Sequence, residues 1–307
     1  MTGAAAGLAV GLLLLALVAV PRLAGAAWVL RAPGLALLLW QAVGLATGLL
    51  AIEVAVTLAL SPLGPTHADA VRALGEADVP LWAGAALALG ALVLLRLLAV
   101  LLASYAQTVV ARRRHRRLVD LVATRNPLLP RARVVEHAQP LAYCLPGFRP
   151  RVVLSSGVLA LLSEDEVRAV LAHEAAHLDQ RHDLVVLPFV ALRSTFPWLS
   201  AVRTAQAEVA LLVEALADDR AARRHRPDVL ARALYKVGTG TVPRGGLAAG
   251  GTPLLGTDEG SVLLRAQRLL TPPRPLGAGG RALVTGAVVG VLSLAPLGLL
   301  LPVLAQR

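Results

Sequence analysis

The sequence predicts an α-helical membrane protein that carries one α+β domain, a small sheet with two long helices, between its third and fourth spans. Three observations predict it. The chain is 56% apolar with a mean hydropathy of +0.68, where soluble domains are roughly 45–50% apolar. The apolar residues fall into four runs separated by charged segments. The long segment before the last run holds HEAAH at 173–177, two histidines four apart with a glutamate between them.

The four runs are spans by length and charge. Residues 4–20 carry no charge, 35–60 only Glu53, 81–103 only Arg96, and 282–303 none. About 20 residues cross the hydrocarbon. AGA at 24–26 resembles a cleavage site, but nothing basic precedes the first run and Arg22 and Arg31 follow it, so it reads as a span and not a leader. Arg96 lies near the basic end of its run and snorkels; Glu53 sits at another depth, so the two are not paired.

Charge sets the orientation. The 21–34 loop has two arginines, and the 61–80 loop sets Asp69, Glu76 and Asp78 against Arg72. Five arginines fill 111–117, and Arg265, Arg268, Arg274 and Arg281 precede the last run. The expected topology puts the N-terminus outside, residues 104–281 in the cytoplasm and the short tail outside. The domains are then 1–103, three spans; 104–281, a cytoplasmic domain that holds HEAAH; and 282–307, the fourth span and tail.

The net charge of +11 is almost all arginine, with Lys236 the single lysine. The arginines flank apolar runs and no nucleic-acid motif accompanies them, so the expected partner is the lipid bilayer and not nucleic acid. Arginine over lysine, with abundant Ala, Gly and Leu, suggests a GC-rich bacterial genome and hence a bacterial plasma membrane. One cysteine, Cys144, excludes an internal disulfide and a cysteine-rich zinc site; it reads as a small buried residue.

Within 104–281, the basic run begins on a helix that Asn126 and Pro127 end. Short extended pieces follow at 133–138, 141–144 and 151–155, punctuated by Pro140, Pro146-Gly147 and Pro150. Ser163 with Glu166 forms a capping box, and Glu164 and Asp165 suit the start of a helix running to about Arg181. A second helix, about 203–225, carries Glu214 and Asp218 at i and i+4. The apolar stretch 184–202 is interrupted by Pro188, Arg193 and Pro197, and one crossing there would separate Glu214 from the histidines. It reads as an interfacial hairpin pressed onto the membrane.

HExxH on a helix lets His173 and His177 grip one Zn²⁺ and sets Glu174 beside the water such an ion activates. If the second helix crosses the first, Glu214 supplies the third ligand and Asp218 accepts a hydrogen bond from a ligand histidine. The alternative is a solvated acidic stripe among Arg220, Arg223 and Arg224. Glu174 is then the general base. Arg220, Arg223 and His225 are candidates to stabilise the oxyanion, and the edge at 152–155 is a candidate to hold an extended substrate. His182 reads as a surface residue at a helix end. Residues 238–260, rich in Gly, Pro and Thr, read as a flexible linker or a self-cleavage segment.

These residues together resemble the BlaR/MecR-type integral-membrane zinc metallopeptidases, a branch of the gluzincins. The resemblance rests on 152–177 leading into HEAAH, on Arg181 with Asp183, on Glu214 with Asp218 as ExxxD, and on RAQRLL at 265–270 before the last span. It implies an α-helical membrane protein with an α+β zincin-like metallopeptidase domain. It implies Zn²⁺ on His173, His177 and Glu214, with Asp218 orienting His173. It also implies regulatory signal transduction by cleavage of a cytoplasmic protein, such as a BlaI/MecI-like repressor or the chain itself. Only LAQR at 304–307 follows the fourth run, so the chain is expected to lack the penicillin-binding sensor. Heat-shock and prenyl-protein membrane peptidases share HExxH and ExxxD. Membrane quality control is therefore the second enzymatic reading, and a non-catalytic signalling scaffold the third.

Overall fold

The computed structural model describes residues 18–64, 81–124, 132–147, 150–239 and 259–304, with isolated residues before 18 and at 69–70. Most of the expected first span, much of the 61–80 loop, Asn126–Pro127, most of 238–260 and the last three residues lie outside the described residues. The chain divides into two compact units, 1–101 with 191–205 and 276–307, and 102–190 with 206–275.

In the first unit, α1 (Pro33–Leu60) and α2 (Leu81–Val122) are long and apolar enough to cross a membrane. α2 is one helix of 42 residues that continues without a break through the basic run. Leu89, Leu92, Leu95 and Leu98 on it are exposed. A row of exposed leucines on a water-facing helix would drive aggregation, whereas in lipid it costs nothing. The last helix, here α9 (Ala278–Leu304), packs along α1, where Val291 meets Ala46 and Leu50.

The second unit is built on three strands, β1 (Ala132–Val135), β2 (Ala142–Leu145) and β3 (Arg151–Ser155), in the order β1-β3-β2. β1 runs parallel and β2 antiparallel to β3. β3 is therefore central, which corrects the expectation that 152–155 is an edge. Val152, Val153, Leu154 and Ser155 are all buried, as a strand covered on both faces requires. Val153 packs with Val119 of α2, while Val152 and Leu154 pack with Val167 and Val170.

From β3 the chain passes into α3 (Ser156–Leu161). Gly157 is required there, because its amide donates to the His137 carbonyl at 2.9 Å and a Cβ would overlap the carbonyl of Ala138. Ser163 then caps α4 (Glu164–Asp179): its hydroxyl accepts from the Glu166 amide at 3.4 Å, and its own amide donates to the Glu166 carboxylate at 2.9 Å. α5 (His182–Thr195) and α6 (Ser200–Ala222) are joined by a short turn at 196–199. The expected hairpin at 184–202 corresponds to all but the first two residues of α5, this turn and the start of α6.

Two further helices were not foreseen. α7 (Pro227–Thr239) has Pro at its first position and Asp228 in its first turn, a legible start signal. α8 (Glu259–Leu270) packs on it. Alanines at 169, 221 and 231 let α4, α6 and α7 approach closely around Leu230 and Leu269.

Lys236 of α7 donates to both oxygens of Glu166, at 2.8 and 2.9 Å, tying α7 to the cap of α4. Burial alone would raise the Glu166 pKa, but Lys236 and the Ser163 amide outweigh it and hold it below the ordinary 4.5. A depressed acid stabilises the fold above the unfolded value, and that contribution is lost as pH falls through the folded value. Lys236→Met should thus cost about 1 kcal/mol at neutral pH, discounted for the lysine's exposure. The cost should fade in acid, below about pH 4.5. Melting curves of both proteins across that range check it; a cost that does not change with pH would refute the assignment.

Candidate metal centre

His173 and His177 lie one turn apart on α4, and their Nε2 atoms face each other at 3.1 Å. Opposite them, Glu214 of α6 places Oε2 3.4 Å from His173 Nε2 and Oε1 3.5 Å from His177 Nε2. All three side chains are buried. Two imidazole lone pairs aimed at each other repel unless a proton or cation stands between them.

The donor set fits zinc. Ligand atoms at zinc distances on a tetrahedron stand roughly 3.3–3.6 Å apart, close to the 3.1, 3.4 and 3.5 Å found here. Glu214 Oε1 is buried without a hydrogen-bond partner, as an oxygen reserved for a cation would be. Among the described residues, His173, His177 and Glu214 form the one cluster with this potential.

Each of these side chains is held from behind. Asp218, one turn beyond Glu214, has Oδ1 2.9 Å from His173 Nδ1, close but off the line of an ideal hydrogen bond. His182 Nδ1 lies 2.9 Å from His177 Nδ1. If His177 donates from Nδ1, its Nε2 lone pair is left for a metal. His182 is therefore buried, contrary to its reading as a surface residue. The cause is Arg181, whose φ of 51° is left-handed and reverses the chain at the end of α4, bringing His182 against His177.

Arg265 of α8 completes the cluster. Its Nε and Nη2 each donate to Asp218 at 2.8 Å, and its Nη1 lies 2.9 Å from Glu214 Oε2. Arg268 makes a second fork to Asp219, at 2.7 and 2.9 Å. The arginine beside the carboxylates is thus Arg265. Arg220, Arg223 and His225 do not line the cavity, and Arg223 is exposed. No local pattern marks Arg265 as a site residue, because its partner lies 47 positions away.

The charges follow from these contacts. Burial opposes ionisation of Glu214, but Arg265, then His173 and His177, hold its pKa down at about 2. Burial also opposes charge on His173, yet Asp218 and Glu214 raise it to about 10. Burial, helped by the charges of His173, His182 and Arg265, pushes His177 down to about 3, with Glu214 opposing. His182 goes down to about 4, chiefly by burial.

Glu174 lines the same cavity, of about 300 Å³, with Tyr143 and Cys144 of β2. Burial first, then the Glu214 charge, raises its pKa, with His173 opposing. Such a shift suits a group that both takes and gives a proton. The Cys144 thiol hydrogen-bonds Glu174, and burial with that carboxylate pushes its pKa up, so it stays protonated and is no nucleophile.

Residues 107–226 match the sequence model of Peptidase family M48, a stretch that includes His173, Glu174, His177, Glu214 and Asp218. A "Protease HtpX homolog" of Burkholderia thailandensis is 40% identical over 73 residues, which is 22% of this chain and 25% of the relative. Proteins of the same name from Ralstonia pickettii and Burkholderia mallei match equally. The chain thus spans about a quarter of the length of the curated relatives it matches. No solved structure matches. The M48 likeness and a His-His-Glu cluster able to hold a metal support a metallopeptidase-type centre, and two of the described helices are long and apolar enough to cross a membrane.

Proposed function

We propose that the chain is a membrane-embedded zinc metalloendopeptidase whose active site is the cavity around His173, Glu174, His177 and Glu214. The observation that carries this is the triangle of donor atoms, 3.1–3.5 Å on a side, with Glu174 in the same cavity. Zinc held there supplies a Lewis acid that acidifies water and polarises a carbonyl.

The residues of the chain do the rest. Glu174 takes the proton of the attacking water and delivers it to the leaving amine. Asp218 and His182 fix the imidazoles of His173 and His177. Arg265 offsets the charge of Glu214 and Asp218, so that two carboxylates coexist in a buried pocket. Substrate lies along β2, not β3. Among the described residues β2 is an outer strand of the sheet, as β1 is, but it is β2 whose Ala142, Tyr143 and Cys144 line the cavity. An extended peptide added there would pass over Glu174.

Two substrate classes follow. The BlaR/MecR-type resemblance, which rests on the residues quoted for it, implies a cytoplasmic repressor and a regulatory role. The likeness to HtpX homologues favours damaged membrane proteins and quality control. We favour the second, with the catalytic unit on the cytoplasmic side, the orientation the arginine distribution favours. The scaffold reading is disfavoured because ligand, base and supporting residues are all present.

Purified protein should contain one zinc per chain and cleave casein. Zinc removal with a chelator should abolish cleavage, and zinc alone should restore it. His177→Ala should bind no zinc and lose activity. Wild-type cleavage by a demonstrably zinc-free chain would end the proposal. Release of peptides from a misassembled membrane protein, compared with cleavage of a BlaI-type repressor, separates the two substrate classes.

A further inference from the structure

A second cavity, of about 340 Å³, lies in the unit formed by 102–190 and 206–275. α2 contributes Arg112, Arg113 and Arg116 to its wall, and the turn between α4 and α5 contributes Arg181. Against these four guanidiniums stands one carboxylate among the described wall residues, Asp183, which already accepts from Arg112 at 2.7 Å. The wall is therefore strongly positive, and Arg116 feels the like charges of Arg112 and Arg113.

The arrangement is built, not incidental. Arg116 is anchored by a 3.3 Å bond from its Nε to the Arg112 carbonyl. Its guanidinium lies against Gly147, whose φ is 145°, in space that any Cβ would fill. Arg181 arrives from a separate segment, on the left-handed turn that also positions His182. The rule that arginines gather on the inner side of a membrane explains a basic run after a span. It does not explain why three of that run's arginines line a cavity with Arg181, while Arg114 and Arg117 of the same run are exposed and outside it.

Depth identifies the ligand. The apolar run ends at Ala103, and Tyr105, two residues on, stands in the cavity wall where interfacial tyrosines sit. Arg113 is ten residues on, about 15 Å along the helix, and its long side chain can reach back toward the headgroups. Guanidinium forks match phosphate oxygens two at a time. We propose that this cavity binds the phosphate of an anionic phospholipid. The proposal does not depend on the peptidase reading.

The test uses the full chain in nanodiscs of phosphatidylcholine, alone or doped with phosphatidylglycerol, with bound lipid read by native mass spectrometry and affinity by titration in detergent. Wild type should retain phosphatidylglycerol selectively over phosphatidylcholine. Removing a hydrogen-bonding guanidinium from a bound phosphate costs about tenfold or more in affinity, so Arg113→Gln with Arg181→Gln should lose roughly 100-fold. Arg114→Gln with Arg117→Gln, which removes equal charge outside the wall, should lose less than twofold. All four residues are exposed, so folding is not at stake. Equal losses in the two double variants would reduce the effect to diffuse charge and overturn the site. Equal retention of the two lipids would overturn it as well. Inorganic phosphate binding as tightly as the lipid would overturn the lipid assignment.

Discussion

Glu174→Gln should lower casein cleavage by roughly 10²–10⁴-fold while zinc content stays at the wild-type level. The amide keeps the size of the carboxylate but cannot take a proton, and proton transfer in the transition state contributes a factor of that order. The zinc measurement carries the argument. Glu174 is not among the donors facing the His173–His177 pair, which are completed by Glu214. Loss of both zinc and activity would make Glu174 a structural part of the site, and retention of both would remove it from the chemistry.

The second large effect concerns stability. Arg265→Gln should destabilise the unit containing the metal centre by about 3–5 kcal/mol, because it leaves Glu214 and Asp218 buried without their counter-charge. Arg265 is 6% exposed and Asp218 1%, so solvent cannot compensate. Adding Asp218→Asn to Arg265→Gln should recover part of the loss, since the pair is then removed together. Urea unfolding of the zinc-free proteins, followed by fluorescence, measures both numbers. Strictly additive losses would show that the fork between Arg265 and Asp218 is not the stabilising contact.

The parts of the site that rest on local periodicity were legible. Four-residue spacing puts His173 over His177 and Glu214 over Asp218, and Ser163 with Glu166 marks where α4 begins. What comes from far along the chain was not. Arg265 approaches Asp218 only because α8 packs back on α6 and α7, and no spacing rule records that. His182 was misread because three-dimensional reversal at Arg181, not its place at a helix end, decides its burial. The strand order was misread too, although a signal existed. The unbroken apolar run at 152–154 marks a strand covered on both sides.

The fork from Arg265 also has a bearing on synthesis. The ribosome delivers the chain from its N-terminus, so both imidazoles and both acids emerge before the arginine that neutralises them, 47 positions after Asp218. Until then the two acids face His173 alone, one possible cation against two carboxylates, which leaves that flank of the pocket hydrated and unsealed. On the proposed peptidase reading, the site is thus poorly formed while the chain is still beside its own unfolded segments. Arrival of α8, just ahead of α9, is then the event that closes that flank.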